Sequence, residues 1–310
     1  MEAVTDFVGR RKELNDALSL LQAGHSLLIR GKAGIGKTAL QQELYRLHSQ
    51  ASVCLWMPDT NAKQALLELL SQLHHKLSLQ VPEGLIPARY RARVHRSGLV
   101  QWPWIKRSLA RCSTRELADM LLMSLQDQPV VLFVQSLALA PMQAALIDQL
   151  LQSTQMVATV SEANRRPHIQ QMLWRFDRHL RLLPLTHADS LALIEQYLTD
   201  KPLRFESSQL RRQFIRIVEQ EAAGMPEAIE GILNAAIADG EVKRRTLRSY
   251  RHEPSIRYLD MTPLLLIMII GFMMMRYISR GVSEVEMYVM SGVASSLFWG
   301  ILMLLRRLKA

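Results

Sequence analysis

Eight consecutive residues constrain this chain more than any others. Gly31-Lys32-Ala33-Gly34-Ile35-Gly36-Lys37-Thr38 stand between a short apolar run at 26–30, which reads as a buried strand, and strong helix formers at 38–44. Strand, glycine-rich turn and helix in that order fit the pattern G-x-x-x-x-G-K-[ST]. Glycine lets the backbone curl so that successive N–H groups point inward at an anion, and the helix starting near Gly36 adds the positive end of its dipole. On this reading residues Gly31 to Thr38, followed by Ala39, are nucleotide-binding. Lys37 reaches the outer phosphates and the Thr38 hydroxyl ligates Mg²⁺.

The surrounding periodicity agrees with such a loop. Further short apolar runs at 51–57, 130–134, 156–160 and 180–183 alternate with amphipathic helices at 9–24, 62–77, 114–125 and 142–151. Alternation of this kind implies an α/β domain, a parallel sheet flanked by helices. After Pro184 the pattern turns helical at 188–198, 207–222 and 226–238, which predicts a small helical lid domain. Cys54 and Cys112 share no motif, so a disulfide scaffold and a cysteine zinc site are excluded. His74 and His75 are adjacent and face different ways on a helix, a poor metal pair.

Residues 81–111 break the rhythm. Pro82, Gly84, Pro87, Gly98 and Pro103 interrupt the segment, and seven cations make it basic, so it reads as an insertion or long surface loop. It matters because 38 Lys+Arg against 28 Asp+Glu leave the chain at +10, a balance that favours nucleic acid, phosphates or an anionic membrane surface. Tyr90, Trp102 and Trp104 interleave with the arginines. That pattern suits single-stranded nucleic acid, lipid headgroups, or a solvated loop with its tryptophans tucked against the sheet.

Phe7-Val8-Gly9-Arg10 with Glu13-Leu14, some twenty residues before the phosphate loop, resembles the N-terminal motif of AAA+-related ATPases. The resemblance is strongest to the signal-transducing (STAND) and archaeal-type members. Gly224-Met225-Pro226 resembles the G-x-P turn of the STAND helical lid, and the likeness covers residues 6–239. No base-reading motif in the sequence separates ATP from GTP; the resemblance alone implies ATP, with Mg²⁺, as ligand, and it implies assembly as a homo-oligomer or with a protein partner. It also implies an acidic pair closing the third strand, and here the chain departs: the strand ends Val134-Gln135-Ser136-Leu137. Gln135 orients a water but accepts no proton at neutral pH. Slow hydrolysis, an acid from elsewhere such as Asp59, or use of the nucleotide as a bound switch all remain open. After the fourth strand, Asn164, Arg165 and Arg166 occupy the place where the family puts a phosphate-sensing group. Gln135, Arg165 and Arg166 are therefore the catalytic candidates.

Residues 1–11 carry charges and no apolar core, unlike a secretory signal, so the bulk of the chain is expected to be cytoplasmic. Residues 261–275 and 287–305 form uncharged runs of fifteen and nineteen residues, joined by a polar link at 279–286. Against a requirement of ~20 residues per span they predict a membrane hairpin in the lipid bilayer. Flanking cations at 243–257 and 306–309 place both ends on the cytoplasmic side. The expected organisation is a P-loop NTPase domain at 1–185, a helical lid at 186–242, a basic juxtamembrane linker at 243–260 and two transmembrane helices at 261–310. Three functions fit: a membrane-anchored ATPase with a degenerate Walker B strand, a nucleotide-dependent switch or scaffold oligomerising at the membrane, and a nucleic-acid-handling ATPase.

Overall fold

The computed structural model describes residues 8–77, 79–126 and 128–242, with scattered helical positions between 268 and 299. The chain divides into two compact units, 1–252 and 253–310.

The first unit is built on five parallel strands: β1 (Leu27–Gly31), β2 (Val53–Met57), β3 (Val130–Val134), β4 (Gln155–Ser161) and β5 (Arg178–Arg181), in spatial order β2-β3-β4-β1-β5. Strands β1 to β4 read as nearly unbroken apolar runs because both sheet faces are covered there, whereas β5 is a mostly exposed edge strand. Leu27, Ile29, Val131 and Phe133 point to one face, under α1 (Arg11–Gln22) and α2 (Lys37–His48). Leu28, Leu132 and Val134 point to the other, under α3 (Ala62–Lys76), α6 (Thr114–Leu125), α7 (Pro141–Ser153) and α8 (Pro167–Leu173). Local signals set several helix starts: Asn61 caps α3 through the Gln64 N–H, and Ser113 with Glu116 forms a capping box on α6. Beyond β5 come α9 (His187–Asp200), α10 (Ser208–Ala222) and α11 (Pro226–Asp239), with a separate core centred on Phe214, Ile229 and Leu233. Two short strands, β6 (Arg204–Phe205) and β7 (Glu241–Val242), pair in parallel beside them.

Three expectations need correction. The loop expected at 81–111 is largely helical, with a 3₁₀ turn at Glu83–Leu85, α4 (Ala88–Ser97) and α5 (Trp102–Leu109). Its prolines and glycines mark helix ends rather than breaks: Pro87 is the N-cap of α4, Gly98 its left-handed C-cap, and Pro103 sits in the first turn of α5. The last strand begins at Arg178, two residues early, because an edge strand is half-solvated and β5 is mostly exposed. Finally, the membrane hairpin and the multi-pass localisation built on it are overturned: among the described residues no helix is long and apolar enough to cross a membrane. An uncharged run only counts residues, whereas a span needs one continuous apolar helix. Most of 243–310, the expected basic linker included, lies outside the described residues.

Candidate functional site

The loop joining β1 to α2 takes its shape from two glycines in left-handed conformations, Gly34 at φ +73° and Gly36 at φ +90°. Gly36 is the N-cap of α2, so Lys37, Thr38 and the exposed Ala39 form that helix's first turn. Ile35 is buried and plugs the loop into the core, while Lys32 and Ala33 lie exposed at its tip. Gly31 admits no side chain: a Cβ there would lie 2.9 Å from an Ile35 methyl and 3.3 Å from the Leu182 carbonyl oxygen.

The Lys37 ammonium folds back over its own loop and donates to the carbonyls of Gly31 (3.1 Å) and Lys32 (2.7 Å). Burial pulls it below the ordinary lysine range, opposed by the carboxylates of Glu162 and Glu227. The Thr38 hydroxyl makes no hydrogen bond among the described residues. A partly desolvated ammonium, a helix N-terminus and an available hydroxyl together fit a nucleoside triphosphate with Mg²⁺.

Arg10 braces the loop from below. Only 6% exposed, it donates from one nitrogen to the carbonyls of Ile35 (2.9 Å) and Leu183 (2.8 Å). Burial lowers its pKa, against the opposing charges of Glu13 and Asp189. The Gly9-Arg10 pair thus ties the phosphate loop to the chain leaving β5. Opposite it, α11 rests its N-terminus on the loop. The Glu227 N–H donates to the Gly34 carbonyl (3.2 Å), and a Cβ on Gly36 would lie 3.6 Å from the Pro226 ring. Gly224, at φ +74°, sets up this turn, its carbonyl accepting from the Leu185 N–H (2.8 Å).

The catalytic candidates are dispersed. Gln135 accepts from the Asp59 N–H (3.3 Å), which joins the ends of β3 and β2 at the sheet edge, away from β1. The Thr159 hydroxyl donates to the Gln135 carbonyl. Asn164 accepts from the Arg166 N–H, and Arg166 itself donates to the Leu139 carbonyl (3.3 Å). Arg165 is exposed, and among the described residues no hydrogen bond or ion pair joins either arginine to residues 31–39.

Sequence reasoning passed over three groups. Glu162 follows β4, its N–H donates to the Gly31 carbonyl (3.2 Å), and its carboxylate pairs with Arg181 (2.7 Å). A carboxylate just beyond a buried parallel strand was a readable signal, because ligands bind outside the carboxyl ends of such strands. Glu227 follows the G-x-P turn. Gln41, fully buried one turn along α2, donates to the carbonyls of Val134 (2.8 Å) and Val157 (3.0 Å), pinning α2 to β3 and β4.

No family model and no curated protein matches the chain. Among solved structures, it is similar to the Thermotoga maritima RuvB Holliday junction branch migration motor at 12% identity. That match covers 79% of this chain and 69% of that one, with a TM-score of 0.45. A single-substitution variant of the same motor is similar at 12% identity over 81% of this chain and 71% of that one, with a TM-score of 0.45.

Proposed function

We propose that this protein is an ATP- and Mg²⁺-binding P-loop NTPase of the AAA+/STAND type, in which a helical lid at 186–242 reports the state of a nucleotide held by a domain at 1–185. The contact of α11 with the phosphate loop carries the reading: the Glu227 N–H meets Gly34, and its carboxylate acts on Lys37. Phosphates entering between Lys37 and the start of α2 compete with that carboxylate, so occupancy shifts α11 through differential contacts. The base preference for adenine and the assembly into oligomers follow from the family resemblance.

A switch with slow turnover is favoured over a fast hydrolase because β3 ends in Gln135 and Ser136, without a carboxylate. Hydrolysis aided by Glu162 is the second reading, supported by the action of its carboxylate on the Lys37 ammonium.

The test is a titration of the full chain with fluorescent ATP and GTP analogues, paired with hydrogen exchange across residues 224–239. Saturable Mg²⁺-dependent binding with altered exchange in α11, both lost in Lys37→Ala, is the expected result. Unchanged affinity in Lys37→Ala removes the reading.

A further inference from the structure

At the β2 edge, three strands from the phosphate loop, α4 buries none of its residues and α5 packs against α3. Arg89, Arg93 and Arg96 are exposed at positions i, i+4 and i+7 of α4, so they share one face. Lys106 and Arg107 are exposed on α5. Among the described residues none of these five cations is paired with a carboxylate, and the nearby Glu83 is already engaged by His95 (3.4 Å). We infer that this face binds the phosphate backbone of a double-stranded nucleic acid.

The aromatic residues decide against the other polyanions. Tyr90 and Trp104 stack on one another, with centroids 4.7 Å apart and planes 10° apart. Each ring also carries a guanidinium: Arg89 lies 4.6 Å from the Tyr90 centroid and Arg93 5.5 Å from that of Trp104. Rings engaged in this way offer no open platform for splayed bases, which single-strand binding requires. A guanidinium placed over a ring can still turn N–H groups to a phosphate and loses less freedom on meeting it than an unrestrained side chain does. Trp102 packs against the core and lies 5.8 Å from the His74 ring, so it is not presented to lipid. From Arg89 to Arg96 the stripe spans ~10 Å at 1.5 Å per residue, enough for about three phosphates spaced ~3.4 Å along one strand's axis.

The experiment is fluorescence anisotropy of the full chain with a labelled 20-base-pair DNA duplex from 50 to 200 mM salt. The wild type is compared with Arg89→Gln/Arg93→Gln/Arg96→Gln and, separately, with Lys106→Gln/Arg107→Gln. Duplex binding whose logarithmic salt slope falls by about 2.7 in the triple variant and about 1.8 in the double variant is expected, at ~0.9 per phosphate contact. Melting temperature and ATP-analogue binding stay unchanged, which separates this surface from the nucleotide site. The inference is overturned by no duplex binding at 50 mM salt, by an unchanged slope in both variants, or by tighter binding to a single strand of equal length. Binding confined to phosphatidylserine vesicles overturns it as well.

Discussion

The backbone N–H of Glu227, at the start of α11, donates to the carbonyl of Gly34 in the middle of the phosphate loop, 3.2 Å away. One hydrogen bond thereby joins the helices that follow the sheet to the turn that most constrains the chain. The Glu227 side chain crowds the same glycine: a Cβ on Gly34 would overlap a carboxylate oxygen of Glu227.

Gly34→Ala therefore carries two penalties. The left-handed backbone costs an alanine ~1–2 kcal/mol, and the new methyl displaces the Glu227 side chain. Urea denaturation is expected to show a loss of at least ~1 kcal/mol. Adding Glu227→Ala recovers the crowding part but leaves the strain. Strictly additive losses would show that the two residues do not press on each other.

Glu227→Gln removes a negative charge that acts on Lys37 and faces incoming phosphates. ATP-analogue affinity is expected to rise about three- to tenfold, the effect of ~1 kcal/mol of relieved repulsion in a partly solvated site. Unaltered affinity at low salt would mean the carboxylate swings clear at no cost.

Arg10→Met keeps the side-chain bulk but strips the donors from two carbonyls, those of Ile35 and Leu183. The buried Ile35 acceptor left without a partner costs ~1–3 kcal/mol, and the part-buried Leu183 acceptor, which water reaches, costs less. Thermal unfolding should show a loss of ~1–3 kcal/mol. Nucleotide affinity should fall with it, since Ile35 anchors the loop.

Two histidines set an acid limit. Burial holds His48 and His74 below the ordinary histidine value of 6.5, with His75 pushing His74 the same way. Between the folded values and 6.5 the unfolded chain binds more protons, so stability rises with pH across that window and is lost as pH falls through 6.5. The melting temperature should be lower at pH ~5.5 than at ~7.5. His48→Leu combined with His74→Leu should flatten the difference; a profile as steep as the wild type's would assign it to other groups.

Gln135→Glu supplies the carboxylate that β3 lacks. A glutamate still accepts from the Asp59 N–H, so the strand ends keep their link. Mg²⁺-dependent phosphate release is expected to rise about a hundredfold, the low end of what a positioned base contributes. No rise would mean that a carboxylate at this position does not reach the attacking water.

Local spacing alone located the glycine-rich turn, the four buried apolar strands β1 to β4 and most helix bounds, because those features depend on neighbours a few residues apart. The apolar runs announced strands buried on both faces, and α6 follows the helix expected at 114–125 to the residue. Prolines and glycines at 82–103 misled because the same residues that break helices also begin and end them. The spans expected from the uncharged runs near the C-terminus find no support, because among the described residues no helix is long and apolar enough to cross a membrane. Only the tertiary structure decided what surrounds Lys37. Arg10 reaches Leu183 across 173 positions, Gln41 reaches Val157 across 116, and Glu162 and Glu227 converge on one ammonium from separate elements. No periodicity encodes such meetings, because they follow from the order β2-β3-β4-β1-β5, which brings the ends of distant segments together around a single glycine-rich turn.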